Sequence, residues 1–100
     1  MLTQSEILKL IRENYKFLSS EYGVTKIGLF GSFAKNKIKD GSDVDILIEL
    51  QKPIGFKFLK LVEYLENLLG TRVDVITKDG LENIRIKSVA DDIRRNMLYV

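Results

Sequence analysis

Residues 29–50 read LFGSFAKNKIKDGSDVDILIEL, and the fold turns on this stretch. An apolar run ends in Gly31-Ser32, a lysine-rich loop follows, and the chain returns as Asp43-Val44-Asp45 at the head of a second apolar run. Side chains two apart on a strand share a face, so Asp43 and Asp45 are expected to point one way while Val44 and Ile46 point into the core. Two like charges about 5 Å apart at an effective dielectric near 20 repel by roughly 3 kcal/mol, which calls for protonation, separation or a cation. Oxygen-only ligands suit Mg²⁺, a hard ion that normally arrives with a phosphate.

Gly31-Ser32 supplies a place for such a phosphate. A glycine at a strand end permits a sharp turn, and Ser32 is placed to begin a short helix through Phe33, Ala34 and Lys35 whose exposed N–H groups attract anions. Gly31-Ser32, ten residues, then Asp43-x-Asp45 resembles the signature of the nucleotidyltransferase superfamily, the DNA polymerase β-like fold. With so short a chain, the sequence is most similar to the minimal nucleotidyltransferases, which act as antitoxins beside a HEPN-domain partner. The resemblance covers nearly all of the chain.

Upstream of this stretch, Thr3-Gln4-Ser5-Glu6 reads as a capping box, followed by Ile7, Leu8, Ile11, Tyr15 and Leu18 at helical spacing. A helix is expected from about Gln4 to about Glu21, stopped by Gly23, and then a strand from Val24 to Phe30 with Ile27 and Leu29 on one face. Within the loop, Lys35, Lys37 and Lys39 alternate ahead of the turn pair Asp40-Gly41. A solvated loop is the ordinary reading of these lysines. The functional one is that Lys35, which follows Gly31-Ser32 most closely, meets a triphosphate. The family usually carries a basic residue here and then glycine; Asn36 replaces that glycine, and asparagine tolerates left-handed backbone.

Downstream, Asp43 to Leu50 is the second strand, with Val44, Ile46, Ile48 and Leu50 inward, and Pro53 and Gly55 mark its exit. Phe58, Leu61, Val62, Leu65, Leu68 and Leu69 form a helical stripe that ends at Gly70. Arg72 to Thr77 is the third strand, with Asp74 facing away from Val73 and Val75. A strand, helix and strand of this length permits a right-handed parallel crossover that sets the third strand beside the second and brings Asp74 to Asp43 and Asp45. Asp79-Gly80 reads as a turn. Ile86, Val89, Ala90, Ile93 and Met97 mark a last helix from about Glu82 to about Arg95, with Arg85, Lys87, Arg94 and Arg95 on its polar side. Met97 to Val100 is too short to assign.

Composition narrows the chemistry. One hundred residues with 45% hydrophobic content suit one small domain spanning 1–100, burying more than about 60% of its unfolded surface. Sixteen basic and 14 acidic side chains leave a net charge of +2, far from a dedicated nucleic-acid binder, so nucleic acid is not expected as a direct ligand. With no cysteine and no histidine, disulfides, thiol catalysis and imidazole chemistry are excluded, and acid-base work falls to carboxylates or lysine. Charges among the first apolar residues exclude a signal peptide or membrane span there, and a cytoplasmic protein is expected. Neither the Walker phosphate loop nor the dinucleotide glycine pattern is present.

The resemblance implies more. It implies an α/β (α+β) nucleotidyltransferase fold, a mixed β-sheet flanked by helices. It implies that Asp43 and Asp45 ligate one or two Mg²⁺ ions, that Asp74 is the third carboxylate of the same metal and catalytic set, and that Gly31, Ser32 and Lys35 bind the nucleotide. The implied reaction moves AMP from Mg·ATP to a hydroxyl, a tyrosine, of a HEPN ribonuclease toxin, in a hetero-oligomer with that toxin. The rival reading is an antitoxin that neutralises the toxin by covering it.

Overall fold

The computed structural model describes residues 2–37 and 43–100. Lys39 and the Asp40-Gly41 turn expected above lie outside the described residues. The first helix, α1 (Gln4–Tyr22), starts at the expected capping box: the Thr3 hydroxyl accepts from the Glu6 N–H at 3.2 Å, and the Glu6 carboxylate accepts from the Thr3 N–H at 3.1 Å. That pairing satisfies two of the N–H groups a helix start leaves open. Gly23, left-handed, ends the helix, and β1 (Val24–Phe30) follows at once.

After β1 comes a one-turn helix, α2 (Gly31–Ala34), and then β2 (Val44–Leu50), α3 (Lys57–Leu69) and β3 (Val73–Thr77). The sheet order is β3-β2-β1-β4, the last being β4 (Leu98–Tyr99), a strand too short for its residues to announce. β1 pairs antiparallel with β2 and with β4, while β2 pairs parallel with β3, the crossover expected from the chain order. The sheet is therefore mixed and flanked by helices on both faces.

Two apolar clusters show why. On one face Val44, Ile46 and Ile48 of β2 and Ile27 and Leu29 of β1 are fully buried under Ile7, Ile11 and Leu18 of α1 and Leu61 and Leu65 of α3. Each such aliphatic side chain stabilises the fold by about 1.5–3 kcal/mol. On the other face Leu47 is buried with Leu81 and Ala90, and Phe30, Ile76, Ile84, Ile93 and Met97 pack around them.

That second cluster corrects the reading of the C-terminal third. Asp79-Gly80 does not make a free turn but lies inside α4 (Lys78–Glu82), capped by the Thr77 hydroxyl, which accepts from the Gly80 N–H at 3.1 Å. The single helix expected from Glu82 to Arg95 is instead broken at Asn83 to Ile86, and α5 runs Lys87–Arg95. Leu81 and Ala90 would fall on opposite sides of one continuous α-helix at about 3.6 residues per turn. Because both bury against Leu47, the chain must break between them. Arg85 consequently precedes the helix, and Ile86 and Val89, expected on its apolar face, stand exposed. Among the described residues no helix is long and apolar enough to cross a membrane.

Candidate active site

The parallel pairing of β2 with β3 sets Asp45 directly beside Asp74. Asp43 immediately precedes β2, whose ladder begins at Val44, and Asp45 lies opposite Phe30 of β1 in the antiparallel register. The alternation of β2 puts Val44 and Ile46 in the core and Asp45 on the other face; β3 does the same with Val73, Val75 and Asp74. The sequence therefore aims Asp45 and Asp74 at one place because each sits between two core residues on neighbouring strands.

The Asp45 carboxyl is pushed up to about 6 by its burial and by the carboxylates beside it. Burial contributes most; the Asp74 and then the Asp43 carboxylates add to it, and so does a hydrogen bond with Asp74. Burial and the neighbouring carboxylates together keep a proton on Asp45 at a pH where isolated aspartates have lost theirs.

Gly31 closes the other side of this place. It opens α2 with φ of 70°, a left-handed backbone, and a Cβ built on it would collide with Oδ2 of Asp45. The Asp45 carboxyl thus rests directly on the Gly31 backbone. Ser32 follows within the same turn, which Lys35 ends by donating its N–H to the Gly31 carbonyl at 3.1 Å. Asn36 then adopts φ of 56°, the left-handed geometry that asparagine tolerates in place of glycine. The Lys35 ammonium is 3.1 Å from Oδ2 of Asp92 on α5. The structure therefore gathers Gly31, Ser32, Asp43, Asp45 and Asp74, and ties Lys35 to a neighbour that sequence reasoning did not raise.

Two supporting residues escaped the sequence. Asp92 sits on what reads as a solvated face, 57 residues from Lys35 in the chain, and spacing carries no sign of their contact. Gln4 reads only as part of a capping box, yet its amide donates to the Phe33 carbonyl at 2.8 Å and the Ala34 carbonyl at 3.1 Å. It anchors the end of α2 to the start of α1.

The donor set is all oxygen. Among the described residues no three Asp or Glu side chains form a ready-made metal cage. Oxygen donors suit Mg²⁺, which is commonly held by one or two carboxylates with substrate phosphates and waters completing its shell. The raised Asp45 carboxyl marks a place where a cation relieves repulsion, so the residues present fit such an ion.

Comparison with known proteins gives this geometry a lineage. Residues 8–100 match the family model described as the nucleotidyltransferase domain. Protein adenylyltransferase MntA of Thermococcus cleftensis is 41% identical over 101 residues, covering 100% of this chain and 98% of the relative. A solved minimal nucleotidyltransferase superimposes with a TM-score of 0.73 at 24% identity, covering 97% of this chain and 95% of that one. A toxin–antitoxin complex with AMP-PNP reaches a TM-score of 0.64 at 21% identity over 98% of this chain and 72% of that one. A tri-AMPylated Shewanella oneidensis HEPN toxin in complex with its MNT antitoxin reaches 0.55 at 18% identity, over 96% of this chain and 66% of that one. The chain belongs to the nucleotidyltransferase-domain family, in the branch of the protein adenylyltransferases.

Proposed function

We propose that this chain, acting as one domain in the cytoplasm, transfers AMP from Mg·ATP to a tyrosine hydroxyl of a HEPN-type ribonuclease toxin and thereby silences it as an antitoxin in a hetero-oligomeric complex. The observation that carries this reading is the side-by-side placement of Asp45 and Asp74 with the Gly31 backbone against Asp45. Asp43 and Asp45 would hold the metal, which when bound would neutralise charge on the α-phosphate and the departing pyrophosphate, with the Asp74 carboxylate beside them. Gly31 and Ser32 give their turn to the phosphates, and the missing Cβ of Gly31 lets the Asp45 carboxyl lie directly against that turn. Lys35 adds a positive charge beside them.

Asp74 suits the acceptor side. It is exposed, and β3 is an edge strand, so a hydroxyl carried by a macromolecule reaches it without entering a cavity. The hydroxyl oxygen bonds to the α-phosphorus as the bond to pyrophosphate breaks, and its proton passes to the Asp74 carboxylate. Removing a general base of this kind costs about 10²–10⁴ in rate.

The test is the mass of the HEPN partner after incubation with Mg·ATP. Wild type should add one or more AMP units, and Asp74→Asn should add none while still forming the complex. A partner that is fully inhibited yet unmodified by wild type would overturn the transferase reading and leave an antitoxin that works by covering.

A further inference from the structure

A protein substrate must be held by something beside the carboxylates. The cleft of about 540 Å³ does not serve, because Leu50, Pro53, Phe58, Thr77 and Lys78 line it at the opposite ends of β2 and β3. Helix α5 packs on the face of the sheet that carries Asp45 and Asp74. Asp45 and Leu47 share one face of β2, Asp74 and Ile76 share one face of β3, and Leu47 and Ile76 pack in one cluster with Ala90 and Ile93. Lys35 with Asp92 ties the same helix to the end of α2.

The start of α5 is also where apolar surface is left uncovered. Ile86 is 63% and Val89 45% exposed. The adjoining Arg85 and Lys87 are both exposed and form no ion pair among the described residues, so two positive charges flank Ile86 in the chain. The other exposed large apolar side chains lie elsewhere. Phe17, Phe56 and Leu59 belong to the α1 and α3 layer on the opposite face, and Tyr99 lies under the Lys26 ammonium at 4.3 Å. An apolar centre edged by unpaired cations is complementary to an apolar segment flanked by carboxylates.

We propose that Ile86 and Val89, with Arg85 and Lys87, dock the protein substrate through an apolar segment flanked by Asp or Glu, and so present its hydroxyl to Asp74. The inference rests on the protein-directed transfer proposed above. Its test uses the purified HEPN-type partner as probe, with binding measured by calorimetry without nucleotide and AMP transfer measured separately. Ile86→Ser with Val89→Ser should weaken partner binding at least tenfold and raise the KM for the partner similarly, with nucleotide binding unchanged. Arg85→Glu with Lys87→Glu should weaken it too, by an amount that shrinks at high salt. Phe56→Ser, on the opposite face, should bind as wild type does.

All three variants change exposed side chains, and serine is a good residue for the N-cap position of Ile86. If the serine variant melts early, the charge variant decides. Partner binding unchanged in the serine or charge variant overturns the docking proposal, whatever the fate of transfer. Weakened binding in the variants, beside a wild-type complex that transfers no AMP, keeps the docking face and removes the transferase reading. Self-association of wild type that the serine variant loses would assign the face to a second copy and overturn the proposal.

Discussion

Gly31 and Asp45 share space that only one of them can fill. The missing Cβ of Gly31 is where the Asp45 carboxyl lies, and φ of 70° penalises any other residue as well. Gly31→Val is therefore expected to displace Asp45 and to cut nucleotide affinity tenfold or more, a loss of about 1.4 kcal/mol, measured by titration calorimetry. Ser32→Ala should cost less, since the backbone donors stay. Unchanged ATP binding in Gly31→Val would remove the phosphate role from this turn. Asp45 itself gives a pH signature. Its carboxyl titrates near 6 in the folded protein against 3.8 ordinarily, so between those values the native state holds more protons than the unfolded chain. Stability of the metal-free protein should therefore fall as pH rises from about 4 to about 6 and level off above. The amount is about 1 kcal/mol once the partial exposure of the group is allowed for. Asp45→Asn should flatten this slope in denaturation curves; an unaltered slope would assign it to other groups.

At the scale of elements, α2 is one turn long and cannot hold itself. Helix nucleation is costly, and this turn has no side-chain N-cap, so it is held by the burial of Phe33 in the core and by the Gln4 amide on the Phe33 and Ala34 carbonyls. Gln4→Ala should destabilise the protein by about 1–2 kcal/mol in urea unfolding and weaken nucleotide binding, whereas Ser5→Ala, exposed on the same helix, should do neither. Equal effects from the two would make Gln4 an ordinary helix residue. The limits of sequence reading follow from the same elements. The strands around the site were legible because Val44-Asp45-Ile46 and Val73-Asp74-Val75 alternate so regularly that both carboxylates had to leave the face of the flanking valines and isoleucine, and helix-length spacing permitted the parallel crossover. The break between α4 and α5 was not, because Ile86, Val89, Ala90 and Ile93 keep helical spacing whether or not Leu81 joins them. What decides it is Leu47, a residue on another strand. Lys35 with Asp92 and the two-residue β4 were hidden for the same reason: each is defined by a partner distant in the chain.

For the molecule as a whole, crowding of carboxylates in the native state makes metal and nucleotide binding a stability effect. Mg·ATP at a hundredfold excess over Kd should stabilise the fold by about 2.7 kcal/mol, upwards of about 10 °C in melting temperature for a domain of this size. Asp43→Asn with Asp45→Asn should abolish that rise while leaving the metal-free protein as stable or more so. A double variant that responds like wild type would remove the metal role from these residues. The parallel pairing of β2 with β3 has a further consequence, one of timing. β1 and β2 meet early because they are neighbours in the chain, but Asp74 reaches Asp45 only after all of α3 has been made and laid across the sheet. Ribosomes deliver chains from the N-terminus, so a nascent chain that already displays Gly31, Asp43 and Asp45 is still half a site. Competence arrives in one late step with β3, and a cell that needs this protein to restrain another must wait for the crossover to close.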